Sequence, residues 1–157
     1  MDSSPSPQTC LCLMTQKAAR SLARRFDEAL RPAGVTSGQF SLLMALARSE
    51  PAPMGLLAEI LGLDRTSLTA QAKPLIREGL TRIEADARDR RRRLLRLTPK
   101  GSKRLAAALP LWRRAHLGLE DELARADRAD RADADLGAVR AALLSLARPP
   151  SAAGAAP

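Results

Sequence analysis

The apolar positions change period in a regular order along the chain. Leu11, Met14, Ala18, Leu22, Phe26 and Leu30 step by three or four residues, as one face of a helix does, so a first helix is expected from about residue 10 to 31. Pro32 and Gly34 stop it. Thr36 and Gln39 then stand as a capping box, and Phe40, Leu43, Met44 and Ala47 give a second helix its apolar face. Pro51 and Pro53 break the chain again, and a short third helix over roughly 54 to 61 ends at Gly62. Asp64 suits the N-cap of a fourth helix reaching Glu78, with Gly79 beyond it and a stripe of Leu68, Ala72, Leu75 and Ile76. Pro74 falls inside that helix and is expected to bend it.

After Gly79 the period shortens. Leu80 to Glu84 reads as a strand, residues 86 to 92 as a turn and Arg93 to Leu97 as the returning strand. Thr98 precedes Pro99, which suits the first position of a fifth helix. Its Leu105, Leu109, Trp112, His116, Leu119 and Leu123 recur almost as a heptad, which calls for a helical partner from another subunit. The run ARADRADRADAD at 124 to 135 is either a helix connection or a charged extension of the fifth helix. A last helix over 135 to 147 carries Leu136, Val139, Leu143 and Leu146, and the Pro/Ser/Ala tails 1 to 9 and 148 to 157 are expected to be disordered. The fold expected is mainly α with a small β-hairpin wing.

Composition narrows the partners. Hydrophobic residues make up 45% of the chain and aromatics 2%, so the core must be built from Leu and Ala, which favours helices. The net charge of +9 points to nucleic acid or an anionic surface, although a GC-rich genome also inflates Arg and Ala. Placement of the charge therefore decides. Residues 86 to 101 read DARDRRRRLLRLTPKG, six arginines set against an alternating strand. Such a pattern needs a structured, exposed element that meets something negative. Cys10 and Cys12 form no disulfide framework, no secretory signal is present, and no apolar run approaches the ~20 residues of a membrane span. A cytoplasmic protein associated with the nucleoid is expected, without membrane, metal or cofactor. One His, no metal-spaced Cys/His cluster and no phosphate-cradling glycine loop argue against an enzyme.

Helices two to four followed by a hairpin make a winged helix-turn-helix plan. In LLAEILGLDRTSLTAQAKPLIREGL the second helix would enter the major groove. Thr66, Ser67, Thr69 and Gln71 can hydrogen-bond base edges or phosphates, while Arg65 and Lys73 can reach the backbone. The wing would present Arg88, Arg90, Arg91 and Arg92 to phosphates or a narrow minor groove. Asp86 and Asp89 would pair with these arginines and fix the loop. A protein that binds DNA by charge alone is the alternative, but such a binder has no need of base-reading side chains at 66 to 71.

The stretch LAEILGLDRTSLTAQAKPLIREGLTRIEADARDRRRRLLRLTPKG resembles the MarR family of bacterial transcription regulators, because LGLDRTSLT, the Asp-x-Arg-Asp-x-Arg wing and LTPKG match at the family's spacing. The resemblance covers about residues 10 to 147. It implies a homodimer on a palindromic operator, acting as a repressor, with a winged helix-turn-helix domain at 35–98 and a helical dimerisation region at 10–34 and 99–147. It further implies that Arg91 is the wing-tip arginine, that Asp89 supports it, and that Arg65, Thr66, Ser67, Thr69 and Gln71 contact DNA from the recognition helix. Ala70 departs from the family, whose members often carry a basic residue there. The resemblance also implies an effector pocket for small aromatic acids or phenols, for which Arg20, Phe26, Phe40, Met44, Trp112 and His116 are candidates. Cys10 and Cys12, at the start of the first helix, are either a thiol switch or simply packed.

Overall fold

A computed structural model describes residues 10–87, 89, 92–130 and 136–147. The tails, residues 131–135, and Arg88, Arg90 and Arg91 with the DNA contacts expected of them lie outside the described residues. The elements are α1 (Leu11–Leu30), a 3-10 turn (Arg31–Ala33), α2 (Ser37–Arg48), β1 (Ala52–Pro53), α3 (Met54–Leu61), α4 (Arg65–Arg77), β2 (Thr81–Ala85), β3 (Arg93–Leu97), α5 (Pro99–Asp130) and α6 (Leu136–Leu146). The chain falls into two compact units, one up to Ala115 and one from His116 onward.

Local chemistry explains most of the boundaries. Gly34 takes the left-handed conformation, φ 66°, that turns the chain out of the 3-10 segment. The Thr36 and Gln39 capping box forms as expected, with Gln39 N donating to Thr36 Oγ1 and Thr36 N to Gln39 Oε1. Asp27 Oδ1 accepts the Ser37 N–H at 2.6 Å, tying the end of α1 to the start of α2. α4 runs through Pro74 to Arg77. Leu80 does not begin the strand, as its sequence suggests; its N–H donates 2.8 Å to Leu75 O and closes the end of α4, so β2 starts one residue later.

The expected two-stranded wing is a three-stranded sheet, in the order β1-β3-β2. β2 and β3 pair antiparallel from Thr81↔Leu97 to Ala85↔Arg93, and β1 adds Ala52↔Leu95 and Pro53↔Leu94 at the other edge. An edge strand tolerates Pro53 because a proline there removes no inner ladder bond. Leu95 and Leu97 point into a core that includes Leu30, Phe40, Leu42, Leu43, Leu46, Leu57, Leu68, Leu75 and Leu80. The Trp112 ring stacks on Phe40, centroids 5.8 Å apart and planes 22° from parallel. In the second unit, His116 Nε2 lies 3.2 Å from Glu120 Oε1, which also accepts from Arg140 of α6. As far as residue 130, the Ala-Asp-Arg run is an extension of α5.

Candidate nucleic-acid interface

α4 is amphipathic, and its buried side fixes what the other side shows. Leu68, Ala72 and Leu75 face the core. Helical spacing then places Arg65, Thr66, Thr69, Ala70 and Lys73 together on the outer side, where they line one open surface. Arg65 belongs as well to an adjoining groove of about 490 Å³ lined by Met54, Glu59, Arg92 and Arg93. A single basic surface therefore runs from the outer face of α4 to the start of the wing's returning strand. Arg93 is a member that was not named among the expected contacts; its signal was its place in the arginine run, at the exposed start of β3.

Two expected base readers stand elsewhere on α4. Ser67 is half-buried, and its hydroxyl donates 2.6 Å to Asp64 Oδ2, so it serves the helix cap. Gln71 is also half-buried and lies over Gly38 of α2, where an added Cβ would come 3.1 Å from its carboxamide. Neither lines the surface that holds Arg65 and Lys73. The Thr69 hydroxyl donates 2.7 Å to Arg65 O and remains able to accept. Ala70 sits within the exposed group, where its methyl suits contact with a thymine methyl.

The described part of the wing turn is held by its backbone. Asp86 N donates 3.1 Å to Arg92 O, and Arg92 N donates 2.9 Å to Asp89 O. At the wing's base Arg82 and Arg96 stand opposite each other across the strands, a like-charge pair that would repel. Glu84 resolves this by accepting from Arg82 at 2.7 Å and from Arg96 at 2.9 Å, while Glu50 lies 3.7 Å from Arg96. The Arg96 hydrogen bond is the main reason the Glu84 carboxyl is held below the usual carboxylate range. These arginines stiffen the wing base, a role not assigned from the sequence.

Asp64 fixes the start of α4. Its Oδ1 accepts the Ser67 N–H at 2.8 Å, and hydrogen bonds from Ser67, the side chain's foremost, hold its carboxyl below the usual range. A carboxyl whose folded pKa is depressed contributes stability in full above its unfolded pKa and loses it as pH falls through the folded one. Asn caps a helix as well as Asp but does not titrate. Asp64→Asn is therefore expected to flatten the acid side of the melting-temperature profile, as followed by circular dichroism. Identical profiles for variant and parent would remove Asp64 as a source of acid sensitivity.

The six candidate effector residues are only partly brought together. Phe26, Phe40 and Trp112 line one cleft of about 230 Å³ with Leu22, Ala23, Ser37 and Ser41. Arg20 lies outside it, on the exposed side of α1 with Gln16 Oε1 3.5 Å away, because α1 turns that position to solvent. Met44 packs against the core, and His116 faces Glu120 within the second unit. Cys10 and Cys12 are free and exposed; Cys10 holds the N-cap position of α1, and Cys12 Sγ lies 3.4 Å from Gln16 Nε2.

A model of the MarR family matches residues 33–92. Among solved structures, the chain is similar to the M. tuberculosis transcriptional regulator MosR in complex with DNA, with 36% identity over 88% of this chain and 93% of that one, and a TM-score of 0.71. It is similar to the transcriptional repressor CouR bound to a 23-mer DNA duplex, with 27% identity over 93% of this chain and 100% of that one, and a TM-score of 0.73. The PcaV regulator of Streptomyces coelicolor, solved with its natural ligand, shares the fold at 24% identity over 84% of this chain and 98% of that one, with a TM-score of 0.62. No curated protein matches the chain by sequence at a significant level.

Proposed function

This chain belongs to the MarR family of transcriptional regulators, and from that premise we propose that it is a homodimeric, sequence-specific DNA-binding repressor. The observation that carries the proposal is the shared outer face of Arg65, Thr66, Thr69, Ala70 and Lys73, continuous through Arg65 with Arg92 and Arg93. It combines cations for phosphates with small hydroxyl and methyl groups for base edges. MosR and CouR, the relatives described above, were each solved with DNA. Two copies of α4 would read successive major grooves about 34–36 Å apart, so a small change in lobe spacing is enough to release a palindromic operator.

Two triggers are proposed for that release. The cleft at Phe26, Phe40 and Trp112 is smaller than the ~300–1,000 Å³ of drug-sized sites and suits a compound with one aromatic ring, a phenol or aromatic acid. Cys10 and Cys12 offer a second route. A peroxide would accept two electrons and two protons from the two thiols as the disulfide forms and the O–O bond breaks. That bond does not fit regular helix geometry, so forming it would open the first turn of α1.

The test is fluorescence anisotropy with the DNA upstream of the chain's own gene and a scrambled duplex, each at two salt concentrations. Discrimination of ~10³ or more is expected. Lys73→Ala should weaken binding to both duplexes and lower the salt slope by ~1. Phenols and peroxide added to the same assay test the triggers. Equal, steeply salt-dependent binding to both duplexes would replace this proposal with a binder that uses charge alone.

A further inference from the structure

The first unit carries a second basic surface. Arg31, at the end of α1, and Lys100, Lys103 and Arg104, at the start of α5, line an open groove of about 450 Å³. At the wing base the cations are matched, since Arg82 and Arg96 face Glu84 and Glu50. In the groove Arg31 has a carboxylate, Glu28 at 2.9 Å. Among the described residues no carboxylate pairs with Lys100, Lys103 or Arg104.

Part of this charge has structural work. Lys100 Nζ donates 2.7 Å to Glu78 O at the end of α4, and Arg104 Nη1 donates to Ala33 O at 3.0 Å and Gly34 O at 3.3 Å. Capping carbonyls at helix ends is an ordinary use of cations, but it accounts for one nitrogen of Arg104 and nothing of Lys103. Gly34 makes the arrangement possible, because a Cβ there would stand 2.6 Å from Arg104 Nη1. The guanidinium is thereby held against the turn. Its Nε and Nη2 have no protein acceptor among the described residues. A fixed guanidinium edge with ammonium groups beside it is the donor set that phosphate selects.

We infer that this groove binds a small phosphorylated molecule carrying at least two negative charges. The cations that lack a carboxylate favour a polyanion over a monoanion. Operator DNA is not the favoured occupant. The groove adjoins the Glu78 end of α4, and at 1.5 Å per residue that lies about 20 Å along the helix from Arg65. An anion bridging Arg31 and Lys103 would tie the end of α1 to the start of α5.

Isothermal titration of the full chain with inorganic pyrophosphate tests the inference and does not depend on DNA binding. One site per chain is expected. Arg31→Gln with Lys103→Gln should weaken it at least about tenfold, since each removes a charge-assisted contact. Both positions are exposed, so the melting temperature should hold, and Lys103→Gln alone should give an intermediate loss. Arg65→Gln with Lys73→Gln should leave pyrophosphate affinity unchanged, and the groove variant should keep its operator affinity. The inference is overturned if the parent does not bind pyrophosphate or the groove variant binds it undiminished. It is equally overturned if only the α4 variant loses it, placing the anion on the DNA face, or if the groove variant loses operator affinity, making the groove a contact for flanking DNA.

Discussion

Gly101→Ala is expected to cost about 3 kcal/mol or more of stability, although alanine is ordinarily the better helix former. Gly101 is buried in the first turn of α5, where an added Cβ would stand 2.0 Å from Leu80 O and 2.9 Å from both Leu80 C and Leu97 Cδ1. The Leu80 carbonyl cannot simply retreat. It accepts the Thr98 N–H at 3.0 Å and lies 3.1 Å from the Thr98 hydroxyl, so moving it sacrifices the contact that joins the base of the wing to α5. Gly118, farther along α5, is the control. A Cβ there meets nothing within 4 Å, and Gly118→Ala should stabilise by up to about 1 kcal/mol through helix propensity alone. Urea denaturation of both variants reads the difference. If Gly101→Ala unfolds at the parental midpoint, the close packing of Leu80 on α5 is wrong.

That glycine shows where the sequence stops being legible. Periodicity and punctuation act within a few residues, so they place helices, caps and the wing's returning strand. Gly101 looks like a poor helix residue until Leu80 is known to lie against it. β1 was hidden for a related reason: two residues, one of them a proline, have no period to read, and only pairing with β3 makes them a strand. On α4, the residue types suggested DNA contact for Thr66, Ser67, Thr69 and Gln71 alike. Which way each one faces depends on which side α2 covers, and Gly38 of α2 takes Gln71. The pairing of Arg82 and Arg96 with Glu84 was unread because it requires strand register, which charge counting does not supply.

Leu13→Glu combined with Leu143→Glu is expected to yield a folded monomer that no longer binds the full operator tightly. Within one chain Leu11, Leu13 and Met14 of α1 are 68%, 41% and 50% exposed, and Leu143, Leu144 and Leu146 of α6 are 52%, 66% and 61% exposed. Clusters of large apolar side chains open to water mark surfaces that another molecule covers. In a two-fold dimer each substitution counts twice, so the pair removes four leucines from the interface. If association hides about half of the surface each of these side chains exposes, the loss is about 1 kcal/mol per leucine, or on the order of 10³ in the dimer dissociation constant. The introduced carboxylates add to that by resisting desolvation. The isolated fold should tolerate both changes, because each position already meets solvent. Light scattering should report the monomer, circular dichroism an unchanged helix content, and anisotropy a fall to the weaker affinity of one α4 on one half-site. A dimer that survives both charges would place the interface on other surfaces. A monomer that still held the whole palindrome tightly would remove dimerisation from the recognition mechanism, leaving a single α4 face with its wing to supply all of the affinity.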